Sequence, residues 1–172
     1  KKLKRIFDII FSIIFLFVSS PILFITFFSI KLTTSEDVFY SQERNGLNGK
    51  KFKILKFRTM HVNEKGDSIN LKQTIKDDPR VTKIGSFLRK WSIDELPQIF
   101  NVLAGDMSIV GPRPHAIIHN EIYRKKISGY MQRHGFKPGI TGLAQIEGWR
   151  GETRELNLME KRINADLRYM NN

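Results

Sequence analysis

The pair Asp94-Glu95, within Leu88-Arg89-Lys90-Trp91-Ser92-Ile93-Asp94-Glu95-Leu96-Pro97-Gln98, carries the strongest chemical signal in the chain. Neighbouring helical residues point about 100° apart, so two adjacent carboxylates can take separate roles at one helix start. A structural reading competes. Ser92 followed three residues later by Glu95 has the spacing of a capping box, and acids are favoured in a first turn by the helix dipole. Pro97 lies too deep in the helix if Ser92 is the cap, whereas with Asp94 as the cap its missing donor costs little.

Gly111-Pro112-Arg113-Pro114 sets one guanidinium between two prolines, which fix the backbone on both sides. A preset arginine suits a phosphate clamp; a turn with an exposed arginine is the plain alternative. Lys56 and Arg58, at the end of a predicted strand, and Arg89, upstream of Asp94, can add positive charge to the same anion site or simply face solvent or lipid headgroups. Asp166 borders the apolar stripe of the last predicted helix, where a carboxylate usually has an arginine or a metal as partner. His115 and His119 have i, i+4 spacing but no third ligand beside them, and read as surface or packing residues.

These groups need elements to hold them. From Ile6 to Ile30, 18 of 25 residues are aliphatic or aromatic and Asp8 is the only charge, a run about long enough at helical rise to cross a bilayer. A core helix this apolar would be unusual in 172 residues, and a secretory signal would end at small residues instead of running through Ser19-Ser20-Pro21 into Phe-rich sequence. Membrane insertion is the better reading. Lys1, Lys2, Lys4 and Arg5 precede the run and the remaining 25 basic residues follow it, so both ends prefer the cytoplasm and a straight span satisfies only one. Pro21 removes a backbone donor and presses on the carbonyl of Phe17, while Ser19 and Ser20 offer hydroxyls to the freed groups. The expectation is a helix broken at Ser20-Pro21 that enters and leaves on one face, with a Pro-kinked spanning helix as the alternative.

After Lys31 the chain turns basic and globular in character. Val38-Phe39-Tyr40 and Phe52-Lys53-Ile54-Leu55-Lys56-Phe57, joined through Asn45-Gly46-Leu47-Asn48-Gly49, predict a β-hairpin. His61 to Pro79 is polar and punctuated by Gly66 and Asp77-Asp78-Pro79, a loop expected to be mobile. Val81, Ile84, Phe87, Leu88 and Trp91 keep helical spacing, suited to packing or to a lipid surface. Further helices are expected over Glu95 to Leu103, Ala116 to about Ile127 and Glu152 to Met170, with ordered turns or short extended segments at Gly105 to Pro114 and Pro138 to Gly142. The fold class is therefore α+β, mostly helical: a re-entrant membrane helix over 1–34, then a small membrane-associated domain over 35–172 with a β-hairpin and amphipathic helices.

Lys plus Arg is 29 against 17 Asp plus Glu, a net +12 that excludes an acidic, disordered protein and asks for an anionic partner: nucleic acid, anionic lipid or a phosphorylated substrate. With no cysteine there is no disulfide framework, thiolate nucleophile or iron–sulfur cluster.

In order, Lys56-Phe57-Arg58-Thr59-Met60, Ser92 to Gln98, Asn101-Val102-Leu103-x-Gly105-Asp106-Met107-Ser108-x-Val110-Gly111-Pro112-Arg113-Pro114 and Pro138-Gly139-Ile140-Thr141-Gly142 resemble the bacterial sugar transferases, the monotopic phosphoglycosyl transferases. The resemblance runs from the basic N-terminus with its Ser20-Pro21 break to Tyr169. It implies transfer of a sugar-1-phosphate from a UDP-sugar to undecaprenyl phosphate at the inner face of the bacterial cytoplasmic membrane, with Mg²⁺, starting a glycoconjugate or exopolysaccharide. By matching position Asp94 is the nucleophile that attacks the β-phosphate, expels UMP and carries the phospho-sugar, and Glu95 helps to deprotonate or orient the acceptor phosphate. Arg89 and Arg113, with Lys56 and Arg58 more weakly, hold phosphate oxygens; Asp94 ligates the metal, and Asp166 supports the metal or the basic cluster. Gly148-Trp149-Arg150-Gly151-Glu152-Thr153 looks most like members that use UDP-glucose. The implied partners are the UDP-sugar, undecaprenyl phosphate and anionic membrane lipid, with no nucleic acid and room for a homo-oligomer. Relatives of this kind extend before Lys1 and past Asn172, so the chain reads as a piece of such a protein. The rival class is a membrane-tethered binding or scaffold module for anionic lipid or nucleic acid, suggested by the charge and by the Lys/Phe alternation of Lys51 to Phe57.

Overall fold

The computed structural model describes residues 2–61, 78–149, 151 and 155–171. Most of the expected mobile loop, 62–77, lies outside the described residues, as do Arg150, Glu152 and Thr153 of the Gly148 motif.

The first helix, α1 (Lys2–Thr33), is one element of 32 residues with Pro21 inside it, where a break was expected. The serines explain the continuity: Ser20 Oγ donates to the Phe17 carbonyl at 2.8 Å, the acceptor that Pro21 cannot serve, and Ser19 Oγ donates to Phe15 O at 2.6 Å. Its amphipathicity is inverted. Asp8, Ser12, Ser19, Thr26 and Ile30 are buried against the rest of the chain, while Phe17 and Val18 are 84% and 70% exposed. A soluble core helix would bury its phenylalanines; one that turns them outward is built for lipid, so the chain associates with a membrane.

A second layer lies along α1. Strands β1 (Phe39–Asn45) and β2 (Lys51–Phe57) form the expected antiparallel hairpin, Phe39 opposite Phe57 and Asn45 opposite Lys51, with Asn48 and Gly49 at positive φ in the turn. Helix α2 (Lys83–Lys90) is capped by Thr82, whose Oγ1 accepts from Gly85 N. Gly85 lets it seat on the chain after β2, since a Cβ there would lie 2.1 Å from Thr59 O. A 3-10 turn at Ile93–Glu95 leads into α3 (Gln98–Ala104), which starts after Pro97 rather than at Glu95. The two Gly/Pro-rich stretches, read as turns or short extended segments, pair with each other: β3 (Ser108–Val110) runs parallel to β4 (Gly139–Thr141). Helices α4 (Ile117–Tyr123), α5 (Leu143–Ile146) and α6 (Leu156–Asn171) complete the domain. Met159 and Ile163 of α6 pack on Ile127 and Tyr130.

The domain grips both ends of α1. Near the start, Lys4 Nζ donates to Ser108 Oγ at 2.6 Å and Val110 O at 2.8 Å, Arg5 caps α3 through the Val102 and Leu103 carbonyls, and Asp8 Oδ1 accepts from Ser108 Oγ and Ile109 N, both at 3.0 Å. Phe15 and Leu16 pack on the cluster around Phe52, Ile54 and Val102, and Leu23, Phe27 and Ile30 on Val38, Phe57 and Leu88. Asp8→Ala leaves the Ile109 N–H buried without an acceptor. It is expected to destabilise the domain by about 2 kcal/mol, read as a lower melting temperature in detergent.

Candidate active site

A cleft of about 1210 Å³ opens between the hairpin, the Ile93–Glu95 turn and the loop after β3. It gathers Lys56, Arg58, Arg89, Asp94, Glu95 and Arg113, residues spread over three separate sequence motifs. The Ile93–Glu95 turn has no capping box. Ser92 is left-handed, φ 56°, and its side chain caps nothing, so Glu95 is free to reach across the cleft. Arg113 clamps its carboxylate with two bonds, Nη2 to Oε1 at 2.5 Å and Nη1 to Oε2 at 3.1 Å, and Lys56 Nζ adds a third to Oε1 at 2.6 Å.

The two carboxylates therefore live differently. Burial works to raise Glu95, but Arg113 and Lys56 outweigh it and hold the acid down at about 2. Asp94 is buried and makes no side-chain hydrogen bond or salt bridge among the described residues. Its pKa is raised, because burial and the neighbouring Glu95 charge outweigh Lys56, Arg89 and Arg113. One acid is a fixed anion spent on cations; the other is an unspent oxygen nucleophile or ligand. A carboxyl held at about 2 is a poor base, so of the two roles implied for Glu95 the geometry suits orientation.

The remaining predicted cations are set individually. Arg89 Nε donates to Thr59 Oγ1 at 2.8 Å and its pKa is lowered, burial outweighing the pull of Asp94. Arg58 Nε donates to Asp37 O at 2.8 Å, with the guanidinium 5.7 Å from the Tyr40 ring centre.

Asp166 does not line the cleft. It forms a buried ion pair with Arg133 at 2.8 Å, burial raising its pKa against the pull of Arg133 and Arg162. Arg133 in turn donates to the Arg113 carbonyl and contacts His115, whose Nδ1 lies 2.6 Å from the Tyr130 hydroxyl. Of the two supports implied for Asp166, the contacts are those of the basic cluster: it braces the loop that carries Arg113. His115 is buried and His119 half-buried, and both line the cleft.

Sequence reasoning missed Arg44, Gln98, Arg133 and Arg162. Gln98 Nε2, on the cleft wall one turn after Asp94, is a buried donor with no acceptor among the described residues. That i, i+4 step was readable from sequence, as was Arg162 one turn before Asp166. Arg44 and Arg133 carried no local signal.

No group of three His, Cys, Asp or Glu able to hold a metal occurs among the described residues. A magnesium ion asks for less, keeping waters and substrate phosphate oxygens around one or two carboxylates. Asp94 fits as that single hard-oxygen ligand.

The apolar helix with its outward phenylalanines thus shares one domain with a cation-lined cleft in which the Asp94 side chain has no hydrogen bond or ion pair among the described residues. The whole chain, residues 1–172, matches the bacterial sugar transferase family, and it belongs to that family. It is 56% identical over 167 residues to a UDP-glucose:undecaprenyl-phosphate glucose-1-phosphate transferase of Klebsiella pneumoniae, covering 97% of this chain and 36% of that protein. A protein of the same name from Escherichia coli strain K12 is 53% identical over 98% of this chain and 36% of its own length. An exopolysaccharide production protein, PSS, of Rhizobium leguminosarum bv. phaseoli is 44% identical over 99% of this chain and 86% of its own. The chain thus spans little more than a third of the first two.

Proposed function

We propose that this chain transfers glucose-1-phosphate from UDP-glucose to undecaprenyl phosphate through an aspartyl-phosphosugar intermediate. The observation that carries the reading is the unspent Asp94 carboxylate facing a cleft ringed by Lys56, Arg89 and Arg113. An Asp94 oxygen attacks the β-phosphorus, the bond from phosphorus to the bridging oxygen breaks, and UMP leaves with that oxygen and its electron pair. An oxygen of the lipid phosphate then attacks the same phosphorus and frees the Asp94 carboxylate. Arg89 and Arg113 meet the charge that gathers on the phosphoryl oxygens, while Glu95 keeps Arg113 and Lys56 in place. Mg²⁺, held by Asp94 and the donor's pyrophosphate, would neutralise further charge. The names of the relatives support the choice of glucose and undecaprenol.

The same reading makes α1 re-entrant, on the cytoplasmic face. A helix of 32 residues is about 48 Å long at 1.5 Å per residue, yet one domain binds Lys4, Arg5 and Asp8 at its start and Ile30 at its end. A domain fastened to both ends keeps them on one side and sets Asp94 near the headgroups. Because the chain has no cysteine, single cysteines at Lys2 and Thr34 report cleanly. Both are expected to react from the cytoplasmic side only, and labelling from opposite sides would end the re-entrant reading.

The deciding experiment is the intact mass of detergent-purified protein incubated with UDP-glucose and Mg²⁺, beside other UDP-sugars. A hexose-phosphate adduct is expected with UDP-glucose. UMP release that requires undecaprenyl phosphate, with no adduct from any donor, would point to a ternary complex; absence of both would favour the non-catalytic binding module.

A further inference from the structure

The cleft holds more cation than the Asp94-Glu95 pair accounts for. Glu95 pairs with both Arg113 and Lys56, one negative charge against two positive ones. Within electrostatic reach of Arg113, Arg44 of β1 and Arg162 of α6 line the same cleft together with His119 of α4. Among the described residues Arg44 has neutral acceptors only, Gln42 Oε1 at 2.5 Å and Glu43 O at 3.5 Å. Arg162, 7% exposed, donates to the carbonyls of Trp149 at 2.8 Å and Gly151 at 3.0 Å. Neither guanidinium forms a salt bridge among the described residues, and Asp166, which attracts Arg162, is paired with Arg133.

What surrounds these groups is further positive charge. Burial and Arg113 together bring Arg44 down to about 10 against the pull of Tyr40, and burial, Arg44 and Arg162 lower His119, which leaves a neutral imidazole able to donate one hydrogen bond. Like charges gathered in a partly dry cleft are destabilising by themselves and become favourable once a multivalent anion joins them.

We propose that Arg44, His119 and Arg162 form a second phosphate subsite of the cleft, which takes the phosphate of the nucleoside monophosphate half of the donor. This rests on the transferase reading. Two anions must be handled near Asp94, and the Arg58–Arg89 side is the one suited to the lipid phosphate. There α2 packs through Leu88 and Ile84 on the end of α1 and turns Phe87 and Trp91 outward, 56% and 64% exposed, beside the apolar helix. Arg44, His119 and Arg162 are contributed instead by the hairpin, α4 and α6, apart from the α2 residues that flank the end of α1.

The test is UMP binding by calorimetry to the purified protein in nanodiscs, with steady-state kinetics on both substrates. Arg44→Gln is expected to weaken UMP and to raise KM for UDP-glucose at least about tenfold, with KM for undecaprenyl phosphate within about twofold. Arg44→Lys, which keeps the charge, is expected to recover most of the loss. A rise confined to KM for undecaprenyl phosphate would give these cations to the lipid and overturn the nucleotide assignment. Unchanged constants would overturn the subsite. If Arg44→Gln does not fold, His119→Gln carries the test: weakened UMP supports the subsite, and wild-type affinity overturns it. Adduct formation by wild type alongside unaltered Arg44→Gln constants sinks the subsite alone, whereas a wild type that neither binds UMP nor forms an adduct sinks the transferase reading beneath it.

Discussion

Asp94→Asn is expected to abolish the hexose-phosphate adduct and to lower turnover by at least about 10³-fold, while the melting temperature at pH 7.5 stays level or rises. The two halves of this result come from one fact, the raised pKa of a buried carboxyl whose neighbours do not repay its desolvation. A folded-state pKa above the unfolded value contributes stability below the unfolded pKa and loses it as pH rises, so at neutral pH the ionised Asp94 strains the fold. An uncharged isostere relieves that strain and removes the nucleophile. If Asp94 served as a helix cap, Asp94→Ala would cost about 1 kcal/mol, but α3 begins after Pro97 and takes no cap from it. The pH profile gives a second check. Attack needs the carboxylate, so the acid limb of turnover should lie above the ordinary aspartate value of 3.8. Full turnover by Asp94→Asn would refute the covalent route.

The same acid shows how far the sequence could be read. Period-two alternation and a turn rich in Asn and Gly were enough for the hairpin, and helical spacing was enough for α2 and α6, because each depends on neighbours in sequence. The β3–β4 pairing was missed, since a parallel pair is joined by a long excursion and three-residue strands carry no periodicity. Helix α1 was legible as a lipid-facing element, yet the outcome at Pro21 turned on Ser20 reaching the Phe17 carbonyl, a contact that spacing permits and does not dictate. At the cleft, Lys56, Arg58, Arg89, Asp94, Glu95 and Arg113 were all visible as motif residues. Their contacts with one another were not. The resemblance already assigned attack to Asp94 and acceptor handling to Glu95, but nothing local in the sequence shows that contacts from the hairpin and the Arg113 loop engage Glu95 and leave Asp94 without an ion pair among the described residues. Arg44 was invisible for the same reason: a lone arginine on a strand says nothing until α4 and α6 bring two more basic groups to it.

Glu95→Gln is expected to reduce both stability and turnover, with opposite pH behaviour from Asp94→Asn. Glu95 sits near 2 in the folded state against an ordinary value of 4.5. A depressed pKa contributes stability above the unfolded value and loses it as pH falls through the folded one, so this acid contributes on the order of 3 kcal/mol at neutral pH. Wild type should lose that share between about pH 4.5 and pH 2, and Glu95→Gln should be flatter across the same window in acid denaturation followed by circular dichroism. The second effect is on the cations. Lys56 is already lowered by burial and supported in its charged form by Glu95; without that partner its pKa falls further and its positive charge is less well held. Arg113 cannot shed its proton and is left a buried charge with a loosened fork. Turnover should drop by about 10²-fold, with the adduct still forming slowly, since the nucleophile remains while the cations that receive the phosphoryl charge have lost their alignment. A mutant that keeps wild-type turnover with the predicted loss of stability would make Glu95 a brace for the fold and not for the reaction. Rapid adduct formation followed by slow discharge to undecaprenyl phosphate would shift its role to orienting the acceptor.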